Sequence, residues 1–323
     1  MYKVIDITGW NYENKEVSGS KEKRWYRNPE TNELVLFKLP ISYSNANWTI
    51  FDEVSGETWA EKISSEVGRL IGISVHKVDI GCLRLNEESI KYYGIDPRKV
   101  PNSNKIYGAL CYSFLDEGNE SLIEGADMIM EMDETYDRDK LKGDVEIYNY
   151  DLLERLFYKH KIIEDLYRMI VFDVLIGNTD RHQDNFGIVH EEVSGDYRFA
   201  PLYDNSSSLG RELPIRNVKL MELDLQMFNA YLFGGRSTTL IRWDFEWSSK
   251  RLNIFDFFDR VQNQSPDILK FLSMIEKLND KSINQIVQQM PDEVMSPYHK
   301  KFVEKLLRSR RYYLEKRYLD GVQ

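Results

Sequence analysis

The sequence is poor in cysteine, and its apolar runs are short. Cys82 and Cys111 are the only cysteines, and neither stands in a CxxC motif or a Cys/His cluster. A disulfide framework and a structural zinc site are therefore not expected. The best apolar run, near 169–176, is interrupted by Asp173, and the N-terminus lacks the apolar core of a signal peptide. We expect no membrane span, no conventional export signal and a cytoplasmic location.

Excess positive charge and the common hydrolase motifs are also missing. A net charge of −10 and a pI of about 5.2 argue against a general nucleic-acid binder, although the last predicted helix has a basic face. No HExxH, GxSxG or Cys/His dyad is present, so a hydrolase has no support. With 323 residues, the chain is long enough for about two domains or lobes.

One polar stretch, residues 177–187, carries the clearest chemical signal. Asp180 is followed five positions later by Asn185, and Asp204 lies beyond a predicted hairpin. Phosphoryl transfer needs such a set, because an aspartate can orient a hydroxyl nucleophile while an asparagine and a second aspartate hold Mg²⁺. Taken singly, each aspartate is explained by turn capping or by the end of a strand. As an ordered set, the three residues predict an ATP-dependent kinase.

The local sequence patterns predict that these side chains converge. Apolar residues recur at helical spacing over 162–175, and Gly177 stands where a glycine that ends a helix is expected. Residues 186–190 and 197–200 are typical of strands, with a Ser-Gly turn between them. Because a hairpin returns its second strand to the start of the first, the second aspartate should lie beside the other two residues.

A lysine and a glutamate in the N-terminal region complete the predicted site. Lys38 lies in an apolar strand, where kinases place the lysine that reaches the nucleotide phosphates. The alternative is a snorkelling lysine on an edge strand. The helix predicted over 55–71 offers Glu57 and Glu61 as partners. We choose Glu61, since Glu57 lies in the first turn, where an acid is explained by the helix dipole.

The predicted boundary between the two lobes lies near residue 115. Residues 1–115 form a β-rich, nucleotide-binding N-lobe, and residues 116–323 form a helical C-lobe. The acidic segment 116–139 is expected to be a solvated connector, and the polar segment 206–236 is expected to be a mobile loop facing the substrate. Helices are predicted over 254–261, 266–278, 282–289 and 297 to about 319.

With these motifs in place, the chain resembles the HipA-like Ser/Thr kinases. This family includes the catalytic part of the HipA toxin and compact, cell-translocating kinases. The most specific match is Asn-Thr-Asp-Arg-His-x-x-Asn-x-Gly, starting at Asn178. Segments 18–23, 37–40, 59–62, 113–115 and 201–204 match the family's phosphate loop, lysine strand, glutamate helix, hinge and metal-binding strand end.

The resemblance implies an α+β, two-lobed protein-kinase-like fold, with ATP and Mg²⁺ as cofactors and a protein Ser/Thr hydroxyl as acceptor. The implied catalytic residues are Asp180, Lys38 and Glu61, and the implied metal ligands are Asn185 and Asp204. The implied cofactor-binding residues are Ser18, Gly19, Ser20, Lys38, Phe114 and His182. Residues 177–187 correspond to the catalytic loop of the family, and we expect His182 to stabilise this loop by hydrogen bonding. Autophosphorylation at Ser18 or Ser20 would place negative charge against the ATP phosphates and switch the enzyme off.

Relative to full-length HipA, we expect this protein to be without the toxin's extra N-terminal subdomain. An antitoxin, or a separate protein that supplies this subdomain, is therefore an expected kind of partner. Some family members phosphorylate aminoacyl-tRNA synthetases, but no residue here identifies that substrate. The alternatives are a small-molecule or lipid kinase, which would use the same polar set, and a nucleotide-binding partner of an antitoxin without catalysis.

Overall fold

The N-terminal part of the chain folds around a six-stranded sheet. The structure is a computed structural model, and it describes residues 1–13, 23–40, 54–95, 103–138, 148–243 and 251–319. The strands are β1 (Val4–Asp6), β2 (Asn11–Glu13), β3 (Lys23–Arg27), β4 (Leu34–Lys38), β5 (Val78–Arg84) and β6 (Lys105–Tyr112). Their order is β1-β5-β6-β4-β3-β2, with β1 parallel to β5 and all other neighbours antiparallel.

Strand β4 is an interior strand of this sheet, and Lys38 is its last residue. Its apolar run is buried on both faces: Phe37 packs into one cluster, while Leu36 packs with Cys111 in another. Burial on both faces explains why β4 has no alternation of apolar and polar residues. The alternative of a snorkelling lysine on an edge strand is therefore wrong.

Helix α1 (Glu57–Ile71) packs on β5 and β6 and is covered by C-terminal helices on its other side. Its apolar face consists of Trp59, Ile63, Val67 and Ile71, all buried as the spacing predicts. The helix ends at Gly72, which has a φ of 87°, a left-handed conformation that glycine adopts readily. Because α1 is covered on both sides, polar residues in its middle are buried and must find partners.

Among the residues that the structure describes, the rest of the chain is mainly helical and includes a small antiparallel sheet. This sheet has the order β7 (Glu120–Glu124), β8 (Gly187–Glu191) and β9 (Tyr197–Phe199). The remaining helices are α2 (Glu87–Tyr92), α3 (Gly125–Met132), α4 (Tyr150–Lys159), α5 (Ile163–Ile176), α6 (Ile215–Leu223), α7 (Leu225–Phe233), α8 (Ile254–Gln264), α9 (Asp280–Gln288) and α10 (Pro297–Leu314). A 3₁₀ segment (Pro266–Lys277) precedes α9, and a π-helical turn (Glu315–Leu319) follows α10.

The central helix α5 leads directly into the polar stretch 177–187, which begins where the helix ends. Ten of its residues are buried, from Leu166 to Ile176, and it ends at Gly177 with a φ of 70°. The predicted helix stop is confirmed. The side chain of Arg310 in α10 lies against this glycine and donates to the carbonyl of Val174 at 3.0 Å. A cation at the negative end of the helix dipole stabilises this terminus.

Two segments differ from the prediction. The expected connector 116–139 contains β7 and α3, with Met128 and Ile129 buried. Its strand is half-buried along its whole length, so it carries no alternation, and only pairing with β8 reveals it. The expected loop 206–236 contains α6 and α7. The last helix reaches Leu319 as predicted, but its final turn, after Leu314, is π-helical. None of the described helices combines the length and apolarity needed to cross a bilayer.

Candidate functional site

A cavity of about 390 Å³ lies between the six-stranded sheet and the loop that follows α5. Six of the predicted site residues line it: Lys38, Phe114, Asp180, His182, Asn185 and Asp204. They come from β4, from the segment after β6, from the loop after α5 and from the segment after β9. The fold thus brings together side chains that are as much as 166 positions apart, counted from Lys38 to Asp204.

Lys38 crosses the cavity to the opposite wall. Its Nζ lies 3.4 Å from Asp204 Oδ1 and 3.9 Å from Glu61 Oε2. Burial alone would lower the pKa of the Lys38 ammonium, but the charges of Asp204 and Glu61 outweigh burial and raise the pKa above 10.5. Lys38 is therefore a fixed cation at neutral pH, placed between two carboxylates.

Glu61 is held by groups from both parts of the molecule. Its Oε1 lies 2.9 Å from His76 Nε2 and accepts the backbone N–H of Asn205 at 2.8 Å. Burial would raise the pKa of this carboxyl, but Lys38 and His76 outweigh burial, so the pKa is lowered. The other candidate, Glu57, forms an ion pair with Arg211 at 2.9 Å instead.

Asp204 has a φ of 52°, in the left-handed region. Aspartate and asparagine tolerate this conformation better than other residues with a side chain. Two backbone hydrogen bonds fix the chain just before it: His76 N–H donates to the Leu202 carbonyl at 3.1 Å, and Leu202 N–H donates to the Ser74 carbonyl at 2.9 Å. The segment that carries Asp204 is thus attached directly to the chain that enters β5.

The loop after α5 fixes Asp180 and Asn185 to each other. Asp180 N–H donates to Asn178 Oδ1 at 3.1 Å, and Asn185 Nδ2 donates to the Asp180 carbonyl at 2.8 Å. The amide nitrogen of Asn185 is therefore committed, and its Oδ1 remains as the ligand atom. Together with the Asp204 carboxylate, this oxygen forms a hard donor set that fits Mg²⁺ better than zinc.

Arg181, which the sequence analysis did not single out, holds this loop together. Its guanidinium binds Asp173 at 2.9 and 2.7 Å, the carbonyls of Asn185 and Tyr203 at 2.8 and 2.9 Å, and Asn205 Oδ1 at 2.7 Å. All five N–H donors of an arginine are thereby satisfied. In the sequence, Arg181 was visible only as an arginine next to the predicted base. Nothing there indicated that its side chain is almost completely buried, with 1% of its surface exposed.

His182 and Asp184 form a second brace in the same loop. Asp184 N–H donates to His182 Nδ1 at 3.2 Å, which agrees with the hydrogen-bonding role expected for His182. Arg138 binds Asp184 at 2.7 Å and Glu124 at 2.9 Å. Burial would raise the pKa of Asp184, but His182 and Arg138 outweigh burial and lower it. Arg138 and Asp184 both line the cavity and were missed by the sequence analysis.

Aromatic and apolar side chains form one end of the cavity. The rings of Phe114 and Tyr203 are stacked, with centroids 5.6 Å apart and an angle of 26° between their planes. Trp25 and Leu36 line the cavity from the sheet. Such a surface suits the flat face of a base. Ser18, Gly19 and Ser20, predicted to cover the phosphates, lie outside the described residues.

The fold and the site define a protein-kinase-like protein. The chain is similar to the crystal structure of the proinflammatory kinase CtkA from Helicobacter pylori, with a TM-score of 0.78, 20% identity and 99% of both chains covered. It is also similar to the Shewanella oneidensis toxin–antitoxin complex of HipA, HipB and operator DNA, with a TM-score of 0.50, 14% identity, 95% of this chain and 66% of that chain covered. Both matches confirm the predicted fold.

A family model and a curated relative narrow this class. Residues 126–296 match the model of the HipA-like C-terminal domain, and the chain belongs to this family. It is 26% identical over 164 residues to the serine/threonine-protein kinase CtkA of Helicobacter pylori strain J99. That match covers 50% of this chain and 48% of the relative, so the chain spans about half the length of the curated relative it matches. The family resemblance seen in the sequence is confirmed.

Proposed function

We propose that the protein is an ATP- and Mg²⁺-dependent serine/threonine protein kinase. The observation that carries this proposal is the 3.4 Å approach of Lys38 to Asp204, in a cavity that Asp180 and Asn185 also line. A cation, a catalytic-type carboxylate and an all-oxygen ligand set in one cavity are the parts that phosphoryl transfer uses. The similarity to a relative named as a serine/threonine kinase supports a protein hydroxyl as the acceptor.

Lys38 binds and orients the phosphates, and Glu61 positions Lys38. Lys38 remains protonated because the charges of Asp204 and Glu61 raise its pKa. Its ammonium can therefore neutralise phosphate oxygens. Glu61 keeps the ammonium in place, and His76 and Asn205 keep Glu61 in place. The lysine therefore reaches the nucleotide already positioned, which lowers the entropic cost of the reactive arrangement.

Asp180 accepts a hydrogen bond from the substrate hydroxyl and aims its oxygen at the γ-phosphate. Asn185 Oδ1 and the Asp204 carboxylate would hold Mg²⁺, which neutralises phosphate charge when bound. The hydrogen bond from Asn185 to the Asp180 carbonyl keeps the nucleophile-orienting residue at a fixed distance from the metal ligands. Arg181 adds a second restraint, since it binds both the catalytic loop and the chain before Asp204.

Replacing Asp180 tests the catalytic assignment. Loss of a positioned base costs about 10²- to 10⁴-fold in rate, so Asp180→Asn should nearly abolish transfer of ³²P from ATP to protein acceptors. Asp196→Asn, an exposed aspartate in the β8–β9 turn, is the matched control and should behave as wild type. Calorimetry should show ATP binding in both variants. Wild-type turnover by Asp180→Asn would refute the assignment.

The acceptor class is tested in the same assay. Protein, phosphoinositide and aminoglycoside acceptors should be offered in parallel, and we expect label only on protein serine or threonine. Label on a lipid or an aminoglycoside alone would establish the small-molecule alternative. An absence of transfer to every acceptor, the chain itself included, would leave a nucleotide-binding protein without catalysis.

We also propose autophosphorylation at Ser18 or Ser20. A phosphate there carries about −1.5 to −2 charges and would repel the phosphates of ATP. After incubation with Mg·ATP, the intact mass should increase by one phosphate. The increase should vanish in Ser18→Ala/Ser20→Ala and in the Asp180→Asn control. An unmodified wild-type mass would overturn the idea.

A regulatory protein partner is the last part of the proposal. The similar structure of HipA was determined with HipB, and the family resemblance makes an antitoxin, or a separate protein that carries a HipA-type N-terminal subdomain, the expected kind of partner. Co-expression with the product of the adjacent gene, followed by size-exclusion chromatography, should give a stable complex. Elution of the two proteins apart would remove this part and leave the kinase assignment intact.

A further inference from the structure

Three side chains that can bind metals converge behind Lys38. Glu61 comes from α1, His76 from the segment before β5 and Cys111 from β6, and all three are buried. Their ligand atoms all lie within 4.8 Å of one another. The residues are 15 and 35 positions apart along the chain, so no spacing motif announces the group. No Cys/His cluster is visible in the sequence because the tertiary fold, and not local sequence, brings these three residues together.

One carboxylate oxygen of Glu61 is available to bind a cation in this group. Its Oε1 lies against His76 and accepts the Asn205 N–H. Its Oε2 is buried and accepts no hydrogen bond from the residues that the structure describes. A buried carboxylate oxygen without a donor is costly, and the Lys38 ammonium at 3.9 Å is beyond hydrogen-bonding distance. A cation bound directly to this oxygen would satisfy it.

We propose that Glu61, His76 and Cys111 form a binding site for a divalent cation of the zinc type. A carboxylate oxygen, an imidazole nitrogen and a thiolate are the ligands that Zn²⁺ prefers, and three protein ligands leave a fourth position open. Zinc bonds of about 2.0–2.3 Å place tetrahedral ligand atoms roughly 3.3–3.8 Å apart. The ligand atoms of Glu61, His76 and Cys111 lie within 4.8 Å of one another, so side-chain shifts of about 1 Å would bring them to that separation. On binding, the Cys111 thiol gives its proton to the solvent, and the two anionic ligands balance the charge of the cation.

Access and selectivity follow from the position of the site. His76 and Cys111 line the cavity, so an ion can enter when no nucleotide is bound. The oxygen ligands Asn185 and Asp204 favour Mg²⁺, whereas the sulfur and nitrogen ligands behind Lys38 favour a softer ion. The cavity therefore offers two metal environments of opposite preference, one on each side of the lysine.

Occupation of the site would remove Glu61 from Lys38. The ammonium already lies nearer to Asp204 than to Glu61, at 3.4 against 3.9 Å, so the lysine has a partner when the glutamate turns to the metal. Lys38 would then be held against the proposed Mg²⁺ ligand and withdrawn from the phosphates. Zinc should therefore inhibit phosphoryl transfer, a consequence that rests on the proposed function, whereas metal binding does not.

Cobalt titration tests the binding site without any activity assay. Co²⁺ occupies zinc sites, and its bond to a thiolate gives an ultraviolet charge-transfer band. We expect this band in wild type, its loss in Cys111→Ser and its retention in Cys82→Ser. Cys82 is the matched control, since it is the other cysteine and is also buried in the sheet. A band that survives in Cys111→Ser, or no band in wild type, would overturn the site.

Zinc affinity gives a second measurement that does not depend on sulfur. By calorimetry, Cys111→Ser and His76→Gln should each bind Zn²⁺ at least about 10-fold more weakly than wild type, since even residues around metal ligands have effects of that size. Circular dichroism should show that both variants are folded. Equal zinc affinity in wild type and both folded variants would refute the ligand set.

The inhibition arm separates the two proposals. In a Mg·ATP transfer assay, micromolar Zn²⁺ should inhibit wild type and Cys82→Ser, and Cys111→Ser should require at least about 10-fold more zinc, by the ratio expected for binding. Cobalt binding without zinc inhibition would refute the coupling to Lys38 and support the site. Cobalt binding in a protein that transfers no phosphate would refute the proposed function and still support the site.

Discussion

Replacing Arg181 by methionine should destabilise the protein strongly, because it removes the partner of a buried carboxylate. Asp173 is 6% exposed, and Arg181 supplies two of its hydrogen bonds, at 2.9 and 2.7 Å. Breaking a buried ion pair by removing one partner costs about 3–5 kcal/mol. The carbonyls of Asn185 and Tyr203 lose their donor in the same step. Methionine keeps the apolar volume, so the loss is one of charge and hydrogen bonds.

The expected shift in melting temperature follows from the size of the chain. An unfolding entropy of about 2.1 cal/mol/K per residue gives about 0.7 kcal/mol/K for 323 residues. A loss of 3–5 kcal/mol therefore lowers Tm by about 4–7 °C. Differential scanning calorimetry of wild type and Arg181→Met, with denaturant unfolding as a second measurement, tests this value.

Arg198→Met is the matched control. Arg198 also binds a carboxylate, Glu120, at 3.0 Å, but it lies at the surface. Exposed ion pairs contribute about 0–1 kcal/mol, so its Tm should change by less than about 2 °C. Equal Tm changes in Arg181→Met and Arg198→Met would refute the view that burial and complete hydrogen bonding make Arg181 the anchor of the loop.

Three further predictions concern the cavity. Asp204→Asn should abolish the Mg²⁺-dependent part of ATP affinity, measured by calorimetry with and without Mg²⁺, and an unchanged Mg²⁺ dependence would contradict its role as a ligand. Phe114→Ala should weaken nucleotide binding by roughly 5- to 150-fold, since aromatic stacking on a base contributes about 1–3 kcal/mol, whereas the exposed Phe233→Ala should not. Folding lowers the pKa of Glu61 below its ordinary value of 4.5. The stabilisation that its ionised carboxylate gives the folded state is therefore present above pH 4.5 and is lost as the pH falls below that value. Tm should therefore fall on acidification less steeply in Glu61→Gln, and parallel curves would contradict this.

The sequence predicted those parts of the fold that are determined by the conformational preferences of neighbouring residues. The end of α5 was predictable because glycine adopts the left-handed conformation there at little cost, and the hairpin β8–β9 carried its own turn signal. The choice of Glu61 over Glu57 rested on position within one helix, and the structure places Glu61 near Lys38. The first two predictions depended on contacts within a few residues, and the third on position along one helix, although the contact that it anticipated joins α1 to β4.

Contacts between distant segments were beyond this kind of reasoning. β7 is a strand because it pairs with β8, more than 60 residues later, and its own sequence shows no alternation. His76 binds Glu61 because β5 passes under α1, which no pattern in either segment reveals. The role of Arg181 depends on the burial of Asp173, an acid that the sequence showed only as an interruption in an apolar run.

The paired backbone hydrogen bonds between Leu202 and the chain at Ser74 and His76 limit how this cavity can open. Helix α1 adds further ties on the same side, because Glu61 accepts the Asn205 N–H at 2.8 Å and Glu57 pairs with Arg211 at 2.9 Å. The part of the cavity beside His76 is therefore held from several directions. We expect it to keep its shape from one turnover to the next, so that any movement that admits or releases nucleotide occurs elsewhere along the cavity wall.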